Sequence, residues 1–447
     1  MLRVILTALT MTRAGDGLPV KSPTEVGMSS TRLNAIERVV ERGIKAGGYP
    51  GASVIVGRKG AAVFEKGFGK LSWSESSTAV DAQRTIYDIA SLSKVVGTTT
   101  AIMILYDENK IRLDDPVVNY IPTFGGGDKD QVTIRQLLTH TSGLPAGRDI
   151  WRIAQTPLEA RALVLNTPLE GRPGAQYIYS DLGADVLGLL IEVVSGEPLD
   201  KFLTRRVFEP LGMNETMYRP ADSLRYRIAP TEVTPPRGYP LRGEVHDENA
   251  YALGGVAGHA GLFSTAADLS VFAQMMLNGG EYNGVQIISK PTVELFTSRA
   301  FGHRALGWDT AEGDYGSGRY LGPTAYGHTG FTGTSMWIDP EREMFVILLT
   351  NRVHAARALR PAKVISDVRA DLSDAAVLSV LDGPKLTAGS KAFRADREVG
   401  WNPPPRASRR RHGSSRHHSI ASATSKSRSS TAKKSSSSKK KSTKKTH

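Results

Sequence analysis

Apolar residues recur along this chain with two different periods, and those periods divide it into regions. Leu33, Ile36, Val40 and Ile44 follow the hydroxyl residues Ser29, Ser30 and Thr31 at helical spacing. A capped amphipathic helix therefore starts near residue 30 and stops at Gly47-Gly48-Tyr49-Pro50. Two short β runs come next, ASVIVGR and AAVFEKGFG, and the Lys59-Gly60 pair between them marks a hairpin. From Ser91 to about Met276 the pattern is helical, in VVGTTTAIMILYDEN, TIRQLLTH, LEARALVLN, SDLGADVLGLLIEVVSG and TAADLSVFAQMML, broken by loops rich in Gly and Pro. Strands return as TGTSMWIDP and EMFVILLTN; the second is apolar throughout, which predicts a strand buried on both faces. A final amphipathic helix is expected around Ala355 to Leu381. Strands at both ends with helices between them imply one α+β domain, built from residues about 25–95 and 320–385, with a mainly helical part inserted at about 96–319.

Composition changes this picture at the two termini. The chain has 447 residues, 40% of them hydrophobic, which is enough to bury a large core. Its formal charge is +13, from 57 basic and 44 acidic residues, but residues 402–447 hold 14 Lys or Arg and no Asp or Glu. What precedes them carries 43 against 44, a net of −1. Residues 386–447 thus read as a linker and a Ser/Lys/Arg-rich tail too polar to fold by itself. Such a tail is either a solvated segment or an arm for anionic polymers or lipid headgroups. It lacks the aromatic interleaving and the recognition fold that specific nucleic-acid binding needs. At the other end, residues 1–24 read as disordered or signal-like, since MLRVILTALTMTRAG has one Arg ahead of an apolar run diluted by Thr7 and Thr10. Export to the periplasm or cell surface is one expectation from it; a cytoplasmic location is the other. No stretch reaches the ~20 apolar residues of a membrane span. The absence of cysteine excludes disulfides, thiol catalysis and Cys-ligated metal sites.

The candidate chemistry starts at YDIASLSKVVGTTTAIMIL. Ser91 and Lys94 stand three residues apart near the start of an apolar helical run, on one face. A serine hydroxyl needs an adjacent base, and lysine serves when burial or neighbouring charge pulls its pKa below ~10.4. The S-x-x-K spacing by itself proves little, because Ser430 to Lys433 and Ser436 to Lys439 repeat it in the tail. Two further stretches add to it: YIYSDLG, with Tyr179 and Asp181 ahead of a strong helix, and GHTGFTGTSMWIDP, where His328-Thr329-Gly330 enters a strand.

In this order the three stretches resemble the S-x-x-K, Y-x-N and K-T-G elements of the serine β-lactamase and penicillin-binding-protein superfamily, and especially the class C β-lactamase-like serine hydrolases. That group includes esterases, D-amino-acid peptidases and DD-carboxypeptidases. TIRQLLTHTSGLP, GHAGLFSTAADLSVFAQMMLNGG and ALGWDT extend the resemblance over about residues 25–385. It implies a β-lactamase/transpeptidase-like fold, an antiparallel sheet flanked by helices with the helical part inserted. It also implies Ser91 as nucleophile, Lys94 as its activating partner and Tyr179 as companion acid/base. The N–H groups of Ser91 and Phe331 would form the oxyanion hole, with Asp181, His328, Thr329 and Gly330 facing the substrate, and no metal or cofactor.

Two positions depart from the pattern. Asp181 replaces the Asn of Y-x-N, and an ionised carboxylate there would hold Lys94 cationic. His328 replaces the Lys of K-T-G and removes a fixed positive charge that holds the β-lactam carboxylate. The expected activity is therefore a metal-independent serine hydrolase acting through an acyl-enzyme on a carboxylic ester, a D-amino-acid amide or a peptidoglycan stem peptide. A true β-lactamase and a non-catalytic envelope or polyanion-binding protein of the same fold are the alternatives. His140, His246, His259, His303 and His354 fit no metal-ligand spacing and read as structural or surface residues, with His259 expected close to the pocket because small residues flank it. VHDENA at 245–250 reads as a solvated loop.

Overall fold

The computed structural model describes residues 17–311, 316–354, 361–386 and 391–402, within a unit spanning Met1–Pro403. The signal-like segment 1–16, the tail from 403 on and the stretch 355–360, where the sequence predicts the start of the last helix, lie outside the described residues.

Eleven strands are described: β1 Gly51–Arg58, β2 Ala61–Gly69, β3 Tyr87–Asp88, β4 Met217–Tyr218, β5 Leu262–Ser264, β6 Glu281–Tyr282, β7 Val285–Gln286, β8 Asp309–Thr310, β9 Tyr326–Thr329, β10 Ser335–Asp339 and β11 Met344–Thr350. The main sheet is antiparallel throughout, in the order β2-β1-β11-β10-β9-β8, so strands from the two ends of the chain meet at its centre. The hairpin lies where the sequence places it, with Lys59 at φ 48° and Gly60 at φ 80°, the two positive values of a tight turn matched to strand twist.

β11 explains the two-sided core. Its residues alternate in direction. Phe345, Ile347 and Leu349 join Ile55, Met336 and the apolar faces of the inserted helices, among them Ala101, Ile102 and Leu105, whereas Met344, Val346 and Leu348 face the other way. There they meet Ile36, Val39 and Val40 of the first long helix, Ala35–Lys45, and Val364, Val368 and Leu372 of the last, Lys363–Ser379. One face of the sheet therefore packs on the helices formed by the chain termini, and the other on the inserted region.

That region is not wholly helical. It also holds β4 and β5, which with β3 from just before it make a second antiparallel sheet in the order β3-β5-β4, and the small hairpin β6-β7. These strands are two or three residues long, too short for an alternating pattern to be read.

Ile347 is fully buried and pairs with both Ile55 and Met336. Ile347→Ala should destabilise the protein by about 2–5 kcal/mol, read as a lower urea midpoint at unchanged slope.

Candidate active site

The turn that carries Ser91 is built from backbone first. β3 ends at Asp88, and Ala90 then adopts φ 48°, a left-handed conformation uncommon for a residue with a side chain. Asp88 holds it there: its Oδ1 accepts the Ala90 N–H at 2.8 Å and its Oδ2 the His246 N–H at 2.7 Å. Ser91 follows directly. The helix behind it is not α-helical from the start as its apolar pattern suggests, but takes a wider π form over Lys94–Thr99 before the α-helix Thr100–Asp107. The Thr100 hydroxyl donates to the Val95 carbonyl at 2.8 Å within this widened stretch, the kind of bulge often found at functional sites.

The strand end carrying His328-Thr329-Gly330 is tied to the same turn. Thr332 Oγ1 donates to the Asp88 carbonyl at 2.8 Å and Thr334 Oγ1 to the Ile89 carbonyl at 3.0 Å. Gly330 is required by this approach, since a Cβ there would lie 2.1 Å from Thr334 Oγ1 and 2.5 Å from the Ile89 carbonyl oxygen.

Tyr179 and Asp181 come from the entrance to the helix Asp181–Ser195. The N-cap Ser180 accepts the Gly183 N–H, donates to the Pro145 carbonyl at 2.6 Å, and gives its own N–H to His140 Nδ1 at 3.1 Å. His140 in turn lies with its ring 4.6 Å from that of Tyr179. It is structural, and what it supports is Tyr179. Burial, with Arg304 and Lys94 nearby, holds its pKa well below the usual value, so it is neutral.

Lys94 joins these parts. It is 3% exposed, and its Nζ donates to Ser91 Oγ at 3.0 Å and to the His259 carbonyl at 3.0 Å. Asp181 Oδ1 lies 2.7 Å away as an ion pair, and the Tyr179 ring centroid 5.0 Å away. Burial pulls the Lys94 pKa down, but Asp181 and Tyr179 together outweigh it and leave it above the usual lysine value. Of the two electrostatic outcomes open in the sequence, the carboxylate at 181 prevails. Lys94 is an ammonium at neutral pH rather than a free amine.

His328 is buried and neutral. Its Nδ1 donates to the Thr329 carbonyl at 2.8 Å, which leaves Nε2 as an acceptor, 3.9 Å from Asp309 Oδ2. Burial is the largest influence and lowers its pKa to about 4; Asp309 opposes this, while Arg304 and Lys94 add to it. Ser91, Tyr179, His328, Thr329, Gly330 and Phe331 line one cleft of about 390 Å³, together with Arg304, Arg352 and Arg369. Phe331 is 46% exposed and stands at its edge. A larger cleft of about 700 Å³, lined by Trp151, Arg219, Arg242 and Tyr251 among others, contains none of the three motifs.

A second layer was not legible. His259 has Asp185 Oδ1 2.7 Å from Nδ1 and Asp247 Oδ1 2.8 Å from Nε2, all beneath Lys94. The stretch around VHDENA is thus not a solvated loop. His246 is buried and paired with Glu232, and Asp247, though 35% exposed, reaches inward to His259. The usable signal was Asp185 itself, a carboxylate inside the apolar run DLGADVLGLLIEVV. His354 donates to the Thr231 carbonyl, and His303 packs edge-on against Tyr177.

Comparison with known proteins agrees with this geometry. The Beta-lactamase family model matches residues 36–369. The chain belongs to the beta-lactamase family. As a member it is a serine hydrolase of the β-lactamase/transpeptidase fold, with mixed helices and antiparallel sheets. It is 33% identical over 397 residues to a protein of Escherichia coli (strain K12) named as a candidate D-alanyl-D-alanine carboxypeptidase, covering 79% of this chain and 91% of the relative. A protein of the same name from Salmonella agona (strain SL483) is 35% identical over 381 residues, covering 76% and 87%. Among solved structures, the octameric penicillin-binding protein homologue from Pyrococcus abyssi aligns with a TM-score of 0.58 at 26% identity, covering 71% of this chain and 73% of that one. A class C beta-lactamase aligns with a TM-score of 0.63 at 17% identity, covering 80% and 98%, a likeness of fold.

The His328 shift has a consequence for stability. Its folded pKa of about 4 lies below the ~6.5 of an unfolded histidine, so between these values the unfolded chain binds a proton that the native state refuses. The stabilisation is complete above about pH 6.5 and is lost as pH falls towards 4. Urea melts of wild type and His328→Gln should converge over that interval, with a change in their difference of up to about 3 kcal/mol.

Proposed function

We propose that this family member forms an acyl-enzyme on Ser91 and releases the terminal residue from a D-alanyl-D-alanine type peptide. The observation that carries the reading is Ser91 Oγ 3.0 Å from the Lys94 ammonium, in a cleft lined also by Tyr179 and the 328–331 strand end. While cationic, Lys94 donates to Ser91 and cannot take its proton, so the acceptor role goes to Tyr179, with Lys94 beside it; the two act as a coupled pair. Ser91 Oγ bonds to the substrate carbonyl carbon and the oxyanion faces the N–H groups of Ser91 and Phe331; the Tyr179 oxygen takes the Ser91 proton as its own hydroxyl proton is given to the amine nitrogen, whose bond to the carbonyl carbon then breaks. Water enters in a second step and frees the acid.

Charge in the cleft supports a substrate with a terminal carboxylate. Neutral His328 supplies none, but Arg304, Arg352 and Arg369 line the same space. Burial, with Arg352 nearby, lowers the Arg369 pKa to about 9, which still leaves it cationic at neutral pH. The names of the Escherichia and Salmonella relatives point to the same substrate class. Ester hydrolysis is the second reading, favoured by the neutral histidine in place of the K-T-G lysine. Both fit an envelope location, and no described helix is long and apolar enough to cross a membrane.

A substrate panel with a Ser91→Ala control tests this. A fluorophosphonate should label wild type at Ser91, and Ser91→Ala should lose both label and turnover, the latter by on the order of 10³-fold or more. Release of D-alanine from a peptide ending in D-Ala-D-Ala is expected, with slow or no nitrocefin hydrolysis. Cleavage of p-nitrophenyl esters without D-alanine release would select the ester reading, and rapid nitrocefin turnover would overturn the role given to His328. For the basic tail we propose contact with anionic polymers. Deleting residues 403–447 should leave ester kinetics unchanged and abolish salt-sensitive adsorption to such polymers.

A further inference from the structure

Beneath the catalytic lysine lies a charged group that the proposed chemistry does not use. His259 is buried and fixed from three sides. Asp185 Oδ1 faces its Nδ1 at 2.7 Å and accepts its backbone N–H at 3.3 Å, while Asp247 Oδ1 faces Nε2 at 2.8 Å. Both ring nitrogens thus point at carboxylate oxygens. A neutral imidazole would set a lone pair against one of them, so the arrangement fits an imidazolium, both of whose nitrogens donate. Asp185 and Asp247 also hold its pKa well above the usual histidine value, against the effect of burial.

What this clamp fixes is a carbonyl. The His259 oxygen accepts a hydrogen bond from Lys94 Nζ at 3.0 Å, and so sets one direction of the ammonium whose other neighbours are Ser91 Oγ and Asp181 Oδ1. The loop has no slack. A Cβ on Gly258 would lie 1.9 Å from the Ala184 carbonyl oxygen, and the Gly258 carbonyl accepts from Thr98 Oγ1 at 2.6 Å. Asp181 and Asp185 stand one turn apart on the same helix, one pairing with Lys94 and the other with His259, which holds the lysine's acceptor in place.

We infer that His259, clamped between Asp185 and Asp247, is a positioning residue for Lys94 and through it for Ser91. The inference rests on the acyl-enzyme reading above. Its effect belongs in the rate of acylation and not in substrate binding, since His259 is absent from the lining of the cleft. The charged groups around its ring are Asp185 and Asp247, with Lys94 at its carbonyl, Asp181 beyond Lys94 and Asp88 beyond Asp247.

Kinetics on a p-nitrophenyl ester and the rate of fluorophosphonate labelling test it in wild type, His259→Gln and Asp247→Asn. His259→Gln should lose on the order of 10²-fold in kcat and labelling rate with KM changed only a few-fold, the cost of a displaced catalytic group. Asp247→Asn keeps the cap on the Ala250 N–H and removes one of the two charges on the ring. Its kcat should fall less, and the alkaline limb of its pH profile should move to lower pH, because the imidazolium then gives up its proton sooner. A purely structural histidine would leave that profile in place. A folded His259→Gln with wild-type kcat overturns the inference. So does Asp247→Asn with unchanged kcat and pH profile, which alone decides the matter where His259→Gln does not fold. A wild type that takes no label on Ser91 is a different outcome, which removes the acyl-enzyme reading and this inference with it.

Discussion

Lys94 brings a full positive charge to a place that is 3% exposed, and an ammonium leaves water only when oxygen atoms replace its hydration shell. Here the replacements come from three separate parts of the chain: the Ser91 hydroxyl, the Asp181 carboxylate and the His259 carbonyl. Much of the surrounding architecture follows from that need. The helix Asp181–Ser195 must begin beside the lysine, the Gly258-His259 loop must press against that helix, and the π stretch after Ser91 must deliver Nζ to the point where they meet. The hydroxyl that the lysine touches also lines the cleft.

Both departures from the family pattern lower the positive charge near Ser91. A carboxylate at 181 pins the lysine as a cation, and a neutral His328 takes a cation away from the strand. Arginines at 304, 352 and 369 line the same cleft from other elements. Cationic side chains thus line the cleft at positions outside the three motifs, with Asp309 paired to Arg304 among them.

The parts of the fold that could be read from the sequence are those where one physical rule acts locally. Two short β runs about a Lys59-Gly60 turn mark the first hairpin, an unbroken apolar run marks β11, and helical spacing marks Ala35–Lys45 and Asp181–Ser195. Ser91, Lys94, Tyr179 and the His328-Thr329-Gly330 strand end could be paired only through a resemblance; in the structure Ser91, Tyr179 and the strand end line one cleft, and Lys94 lies buried behind Ser91. What escaped had long-range causes. His259 lies 74 residues from Asp185 and 12 from Asp247, and no local pattern announces a pair closed over such distances. VHDENA looked solvated because its acidic residues have no partner nearby in sequence; the partner of Asp247 comes from the next loop.

Because β1 lies between β2 and β11, the chain leaving the ribosome carries the first hairpin for nearly three hundred residues before its neighbour exists. The same wait governs the turn that carries Ser91. Its left-handed Ala90 is braced by hydroxyls of Thr332 and Thr334, which are synthesised long after Ser91. An unfinished chain therefore holds Ser91 without these two hydrogen bonds, and the turn around it can close only once the last strands of the main sheet have been made.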